Sequence, residues 1–270
     1  MPGDLAAPYK SRSQRTRVVS EAWGENNLYC PSCASQRLDR AAPNTEAVDF
    51  SCPDCSSPFQ LKSQSHRFTA RVMDAGYDAM CRAVKGGRTP NLFALSYDPE
   101  RWRVLDLFLV PRFVFSLSCI ERRNPLSPAA RRHGHVLCNI LLGNIPPDGR
   151  IPMVTGGKPV SSDCVRTQYA RLRPLAEMKH DARGWTLDVL NVVRGIASGR
   201  GTPRRARPTL GTPWCAPTSF TLAEVYAQEA ALARLHPENL HVRDKIRQQL
   251  QRLRDLGVVG FVARGQYRLV

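Results

Sequence analysis

Residues 29–62 read YCPSCASQRLDRAAPNTEAVDFSCPDCSSPFQLK and contain two Cys-x-x-Cys pairs, separated by 18 residues, each with a proline after its first cysteine. The paired cysteines are Cys30, Cys33, Cys52 and Cys55. Two thiolates on each of two knuckles complete the tetrahedral sulfur site that structural Zn²⁺ prefers, and they leave no coordination position open. A redox pair or a chance placement is the alternative, but the equal spacing of the two pairs favours a structural zinc site.

The residues around the second pair form a candidate catalytic centre. Asp49 precedes the pair, and Gln60 and Lys62 follow it in the segment FQLK. Alternate side chains of a strand share a face, so Gln60 and Lys62 are expected to point the same way. This set suits magnesium-dependent phosphodiester hydrolysis, with Asp49 and Gln60 as Mg²⁺ ligands and Lys62 neutralising charge in the transition state. Taken alone the spacing is a weak signal, and a solvated polar face on an ordinary zinc-ribbon hairpin explains it better.

The charge of the chain indicates a polyanionic partner. There are 39 Lys and Arg residues against 23 Asp and Glu, which gives a formal net charge of +16. Cations on one face release counterions from a phosphate backbone, so this surplus favours nucleic acid over a merely basic surface. No stretch approaches the roughly 20 apolar residues that span a bilayer, and no heptad pattern argues for an obligate dimer. We therefore expect a monomeric protein that binds DNA and has no membrane partner.

The first block of the chain, residues 1–182, is predicted to be an α/β domain. Helices are expected over residues 13–23 and 69–84, the second because apolar residues recur there at helical spacing. Two short apolar runs, NLFALSY at 91–97 and RVLDLFLV at 103–110, are rich in strand formers. The alternation of strands and helices indicates a mixed sheet.

The second block, residues 183–270, is predicted to be a small winged helix-turn-helix domain. Residues 195–219 are rich in Gly, Pro and Arg and are expected to be a flexible insertion. Around them lie three helical segments and a terminal hairpin, at residues 185–193, 221–235, 241–256 and 258–270. That order of helices followed by a hairpin is typical of a winged helix.

The last helix of this block carries a polar face that suits base reading. An α-helix in the major groove reads guanine through Arg and adenine through Gln. The candidate base-reading residues are Arg247, Gln248, Gln251 and Arg254. Arg264 and Gln266, at the tip of the hairpin, are expected to reach the DNA backbone or the minor groove. A solvated helix face without a partner is the alternative, which the basic charge and the helix–helix–hairpin order disfavour.

Ten stretches spread over the chain carry a resemblance to a known family. They are YKSRSQRTRVVSEAW, YCPSC, VDFSCPDC, FQLKS, DAGYDAM, PLSPAARR, RGWTLDVLN, FTLAEVY, VRDKIRQQLQRLRD and ARGQYRL. These stretches resemble the DpnI family of methyl-directed restriction endonucleases. The resemblance implies a PD-(D/E)xK nuclease domain with a zinc site, then a winged helix, acting on double-stranded DNA at adenine-methylated GATC in the bacterial cytoplasm. Asp49 and Lys62 fall on the family's catalytic aspartate and lysine.

Four residues bear on the match to the family pattern. Gln60 occupies the slot where the family motif has glutamate; its amide oxygen can ligate Mg²⁺ but brings no charge, so weaker metal binding is expected. His135 stands where the family has a tryptophan near the methylated bases, so methyl recognition by this domain is expected to be weaker or different. Arg131 and Arg132, in PLSPAARR, are predicted phosphate contacts, with a solvated turn as an equal alternative.

Because of Gln60, a second function stays open at this point. The chain would then be a non-catalytic, methylation-sensitive DNA-binding protein or regulator that keeps the zinc hairpin and the winged helix. Cleavage of methylated DNA separates the two functions.

Overall fold

A computed structural model describes the chain in five stretches: residues 1–42, 45, 47–129, 133–199 and 219–270. It divides into two compact units, Met1–His180 and Asp181–Val270. Within the described stretches, no helix combines the length and the apolarity needed to cross a bilayer.

Unit 1 is built on a mixed β-sheet, as the sequence predicts. Its strands in chain order are β1 Asp39–Arg40, β2 Phe50–Ser51, β3 Pro58–Gln64, β4 Arg71–Gly76, β5 Asn91–Asp98, β6 Arg103–Val110, β7 Ile120–Arg122, β8 Leu137–Leu141, β9 Ile151–Thr155 and β10 Lys158–Pro159. The larger sheet has the order β1-β2-β3-β5-β6-β9-β10, and the smaller has the order β4-β8-β7. Only β3 and β5 pair in parallel among these described strands.

The core of unit 1 lies around β3 and β5. Every residue of β5 from Asn91 to Tyr97 is buried, which is why this strand reads as an unbroken apolar run. The rings of Phe59 on β3 and Phe93 on β5 stack with their centroids 5.1 Å apart. This packing holds β3, the strand that carries Gln60 and Lys62, at the middle of the sheet.

Three α-helices flank the sheets of unit 1. They are α1 Arg12–Asn27, α2 Tyr77–Lys85 and α3 Ser162–Leu172. Short 3₁₀ turns occur at Gly3–Ala6, Arg112–Val114, Leu117–Cys119, Leu142–Asn144, Pro147–Gly149 and Arg173–Glu177. The helix predicted over residues 13–23 is confirmed, and it continues to Asn27.

The helix predicted over residues 69–84 is wrong in its first half. Residues 71–76 form β4, in which Val72 and Asp74 are buried while Met73 between them is exposed. This two-residue alternation fits the pairing of β4 with β8, about 65 residues further along the chain, which the local spacing of apolar residues cannot reveal. The helix begins only at Tyr77, where α2 turns Met80 and Val84 into the core.

Unit 2 has the element order of a winged helix. Its helices are α4 His180–Ser198, which begins at the last residue of unit 1, α5 Leu222–Tyr226, α6 Glu229–Leu235 and α7 Val242–Asp255. Its strands are β11 Ser219–Thr221, β12 Val259–Ala263 and β13 Gln266–Leu269, in the sheet order β11-β13-β12. Gly257 after α7 and Gly265 in the hairpin turn have φ of +69° and +72°, conformations that glycine adopts without strain.

The loop predicted over residues 195–219 is wrong at both of its ends. Helix α4 continues to Ser198, and β11 begins at Ser219. The helix continues because Ile196 and Ala197 pack against the core of unit 2. The rest of that segment, residues 200–218, lies outside the described residues.

The single helix predicted over residues 221–235 is divided into α5 and α6. It starts with a capping box between Thr221 and Glu224, as the threonine at this position suggests. The division occurs because the backbone N–H groups of Gln228 and Ala231 donate to carbonyls three residues earlier, which tightens the chain into a turn.

We expect Ile246→Ala in α7 to lower the free energy of unfolding by about 2–5 kcal/mol, because Ile246 is fully buried in the core of unit 2. The matched control is Gln251→Ala on the exposed face of the same helix, with an expected change within about 0.5 kcal/mol. Urea denaturation followed by circular dichroism measures both. Equal losses in the two variants would contradict the packing of α7 described above.

Candidate active site and DNA-binding surface

The four paired cysteines converge in unit 1. Their sulfur atoms all lie within 4.8 Å of one another, with 3.6 Å between Cys30 and Cys55 and 3.5 Å between Cys33 and Cys52. Four sulfurs bound at about 2.3 Å to one tetrahedral ion would be about 3.8 Å apart. The cluster is therefore compatible with a zinc-binding hairpin, and it could hold zinc without an open coordination position.

An arginine from a distant helix braces the first cysteine knuckle. Arg166 on α3 donates hydrogen bonds from Nε to the carbonyl oxygens of Cys30 at 3.3 Å and Cys33 at 3.0 Å, and from Nη2 to that of Ser35 at 3.1 Å. Its guanidinium carbon also lies 5.2 Å from the centre of the Tyr29 ring. The turn that presents two of the four thiols is thus held by charge-assisted hydrogen bonds.

The three predicted catalytic residues line one cleft of about 450 Å³ between α1 and β3. Asp49 is fixed there before any ligand is bound. Its backbone N–H donates to the carbonyl of Phe59 at 2.8 Å, and its Oδ2 accepts the backbone N–H of Leu61 at 2.7 Å. The carboxylate is thereby held against β3, and its second oxygen is available to a ligand in the cleft.

The electrostatics of Asp49 favour a bound cation. Burial raises the pKa of this carboxyl group, and the nearby charge of Glu21 raises it further. The hydrogen bond from Leu61 and the charges of Lys62 and Arg17 act in the opposite direction and do not cancel the rise. A cation placed at the carboxylate would offset the cost of burying its charge.

Gln60 and Lys62 lie in the middle of β3 and line the same cleft as Asp49. Gln60 is 8% exposed, and it also lines a second cavity, of about 280 Å³, on the side of β4. The Nζ of Lys62 lies 2.8 Å from Oδ1 of Asp74 on β4. The structure therefore brings Asp49, Gln60 and Lys62 together, as the sequence predicts, and adds a second carboxylate beside Lys62.

Sequence reasoning missed two acidic residues at the site. Glu21 of α1 lines the same cleft as Asp49 and forms ion pairs with Arg17 and Arg40, the first with a 2.6 Å contact. Asp74 is 7% exposed and approaches Lys62 from the smaller sheet. Both residues lie inside family-like stretches, YKSRSQRTRVVSEAW and DAGYDAM, but neither stretch has a spacing that links it to Asp49.

Of the three predicted DNA contacts of unit 1, only His135 lies in the part of the chain that the structure describes. His135 is exposed, and its imidazole lies over Gly76, where an added Cβ would come within 3.2 Å of Nε2. Its close contact with Gly76 places it at the end of β4. Arg131 and Arg132 lie outside the described residues.

The predicted base-reading face of α7 is exposed to solvent. Val242, Ile246, Leu250 and Leu253 are buried on the opposite side of the helix. On the exposed face, Arg247 donates from Nε to the Tyr226 hydroxyl, and Gln251 donates to Asp255 at 2.9 Å. The four predicted base-reading side chains of α7 are thus accessible from solvent, and Arg247 is the one that is bonded to Tyr226.

The hairpin β12–β13 presents a mixed polar and apolar tip. Arg264 and Gln266 are exposed, as predicted. The structure adds Phe261 and Val262, which are 55% and 54% exposed beside them. Exposed apolar side chains beside a cation suit a surface that contacts both bases and phosphates.

Comparison with protein families accounts for both units. The family model described as Dam-replacing family, DpnI, matches residues 2–178, and the model described as Dam-replacing HTH domain matches residues 216–269. The chain belongs to the DpnI family. Membership in the DpnI family implies a methyl-directed DNA endonuclease that binds DNA through a C-terminal helix-turn-helix domain. The nuclease-type α/β fold with its cysteine cluster, followed by a small helix-turn-helix domain, is thereby confirmed.

We expect Arg166→Ala to loosen the first cysteine knuckle, because the substitution leaves the carbonyl oxygens of Cys30 and Cys33 without their charged donor. Zn²⁺ carried by the protein should be released faster to a competing chelator, and the loss of such charge-assisted bonds should lower stability by about 1.5–3 kcal/mol. Arg171→Ala, on the exposed side of the same helix, is the control. Equal release from both variants would show that α3 does not brace the knuckle.

Proposed function

We propose that this chain hydrolyses phosphodiester bonds of double-stranded DNA at adenine-methylated sites, with G-m6A-TC as the recognised sequence. The observation that carries the proposal is the shared cleft of Asp49, Gln60 and Lys62 in a member of the DpnI family. We assign cleavage to residues 1–182 and base reading to residues 183–270, in a monomer acting in the bacterial cytoplasm.

The donor set of the cleft fits magnesium. Mg²⁺ is commonly held by one or two carboxylates, together with water and substrate phosphate. Asp49 would supply a carboxylate oxygen and Gln60 an uncharged amide oxygen. When bound, the ion supplies Lewis-acid polarisation of the scissile phosphate and lowers the pKa of a water. The four cysteines would hold a structural Zn²⁺ in the hairpin that positions Asp49.

Lys62 is the cation of the proposed centre. Its side chain lines the cleft, and the alternation of side chains along β3 puts it on the same face as Gln60. Negative charge grows on the phosphate oxygens as the attacking oxygen approaches, and a fixed positive charge stabilises that state more than the ground state. We therefore assign Lys62 to charge neutralisation and Asp49 and Gln60 to metal binding.

The DNA contacts are proposed from the surfaces of both units. In unit 2, Arg247, Gln248, Gln251 and Arg254 would read bases, and Arg264 and Gln266 would contact the backbone or minor groove. In unit 1, His135 would lie near the methylated bases, and Arg131 and Arg132 would bind phosphates. The net charge of +16 supports a binding energy with a large electrostatic share.

The test of this function compares adenine-methylated plasmid with the same plasmid lacking methylation, in the presence of Mg²⁺. We expect cleavage of the methylated form, and a loss of at least about 100-fold in rate with Asp49→Ala or Lys62→Ala. Asp49→Asn is a milder variant because its amide oxygen can still accept the Leu61 N–H. Binding of methylated duplex should remain close to that of the unsubstituted protein in all three variants.

Two outcomes would contradict this assignment. Cleavage at an unchanged rate by either alanine variant would place the catalytic centre elsewhere. Tight binding of methylated DNA by the unsubstituted protein, without cleavage at any Mg²⁺ concentration, would instead establish the non-catalytic regulator. Gln60 is the residue that favours that second function, because it removes one charge from the metal site.

We expect Gln60→Glu to keep or raise cleavage and to lower the Mg²⁺ concentration for half-maximal rate. The added carboxylate increases the negative charge at the ion, and a tenfold shift would correspond to ~1.4 kcal/mol. The matched control is Gln64→Glu, on the same strand and in the same cleft. A magnesium titration on methylated GATC duplex measures both. If Gln60→Glu needs more Mg²⁺, or if Gln64→Glu gives the same gain, Gln60 is not a metal ligand.

A further inference from the structure

Asp74 is a buried carboxylate that reaches the site from the smaller sheet. Along β4 the side chains alternate, so Met73 is 60% exposed while Asp74 is 7% exposed. Its Oδ1 lies 2.8 Å from Nζ of Lys62, and together with Gln60 it lines the second cavity, on the side of β3 facing β4. The smaller sheet thus delivers a second acid to the strand that carries the proposed centre.

The two side chains of the Lys62–Asp74 ion pair differ in their exposure to solvent. The Asp74 side chain is 3% exposed, whereas that of Lys62 is 28% exposed and lines the cleft of Asp49. A buried carboxylate is costly unless it is paired, so the burial of Asp74 favours an ammonium held beside it. An ammonium has three donors, and one contact with Asp74 leaves the others for the cleft.

We propose that Asp74 is a positioning residue that fixes the ammonium of Lys62 at the edge of the cleft. The proposal rests on the proposed function in one respect, that Lys62 then acts on the scissile phosphate. Asp74 itself does not touch the reacting atoms. It acts by holding a long side chain in one place before DNA arrives.

The physical need for such a residue is the flexibility of lysine. A free lysine side chain samples many rotamers, and this freedom is lost each time the ammonium is held at a reacting group. In this chain Gln60, on the same face of β3, is uncharged and cannot hold the ammonium by an ion pair. Asp74 fills that role from β4, and the ion pair restricts the rotamers that Lys62 adopts.

The first measurement uses the unsubstituted protein without Mg²⁺ or DNA. ¹H–¹⁵N spectra of the lysine ammonium groups, with the Lys62 signal assigned through Lys62→Arg, report how firmly each group is held. We expect the Lys62 ammonium to be far more ordered and slower in proton exchange than that of the exposed Lys158. If Lys62 is as mobile as Lys158, the proposal is overturned, whatever the protein does to DNA.

The second measurement compares Asp74→Asn with Asp106→Asn. Asp106 forms an ion pair of the same length, 2.8 Å, with Arg67 in the same unit, and neither residue lines the cleft. We expect the slow Lys62 signal to disappear only in Asp74→Asn. The single-turnover cleavage rate of that variant should fall about 10–100-fold, with the affinity for methylated duplex in Ca²⁺ unchanged. Equal effects of the two substitutions on the Lys62 signal would refute the positioning role.

The double variant Gln60→Glu/Asp74→Asn separates positioning from simple charge supply. If Asp74 only adds negative charge near the metal, a glutamate at position 60 restores the cleavage rate without restoring the slow Lys62 signal, and our proposal is wrong. If Asp74 positions Lys62, the double variant regains its cleavage rate only to the extent that it regains the slow Lys62 signal. Failure of the unsubstituted protein to cleave methylated plasmid would count against the proposed function alone, because the order of the Lys62 ammonium is measured without DNA.

Discussion

The hydrogen bond from the Leu61 backbone N–H to the Asp49 carboxylate is the contact on which the proposed centre depends. It ties an acid that precedes β2 to the strand that carries Gln60 and Lys62. It can form only if the hairpin between the two strands closes correctly, and the four-cysteine cluster closes it at Cys52 and Cys55. A metal there would act through folding, by ordering the backbone that positions the acid.

The strongly basic chain keeps a small group of acids at this cleft, and each acid has a different environment. Asp49 is half-buried and held by a neutral donor, which makes it receptive to a cation. Glu21 is neutralised by arginines, and Asp74 is paired with Lys62. In the proposed centre, this separation would leave Asp49 for a metal ion, while Glu21 and Asp74 pair with cations. Such an arrangement suits catalysis by fixed charges, because little has to reorganise when DNA binds.

In unit 2 the fold depends on the buried face of α7 and not on the exposed face that is predicted to read bases. Helix α7 owes its stability to the buried face around Ile246 and Leu250, so its outer face can vary without cost to the fold. Arg247 nevertheless has partners, since its guanidinium and that of Arg243 lie 5.7 Å and 5.3 Å from the centre of the Tyr226 ring. Two cations held on one ring are partly ordered. If Arg247 contacts DNA as proposed, that order would reduce the entropy lost on binding.

The sequence by itself determined the parts of this protein that are local or periodic. The cysteine pairs, the order of Asp49, Gln60 and Lys62 along one hairpin, and the buried face of α7 are all contained in short segments. The resemblance to the DpnI family, and not the spacing, marked Asp49 and Lys62 as catalytic. Only the tertiary structure decided that residues 71–76 form a strand, that Asp74 meets Lys62, and that α1 places Glu21 in the cleft. Those contacts join elements far apart in the chain. Local spacing of side chains carries no information about which distant strand or helix will supply the partner.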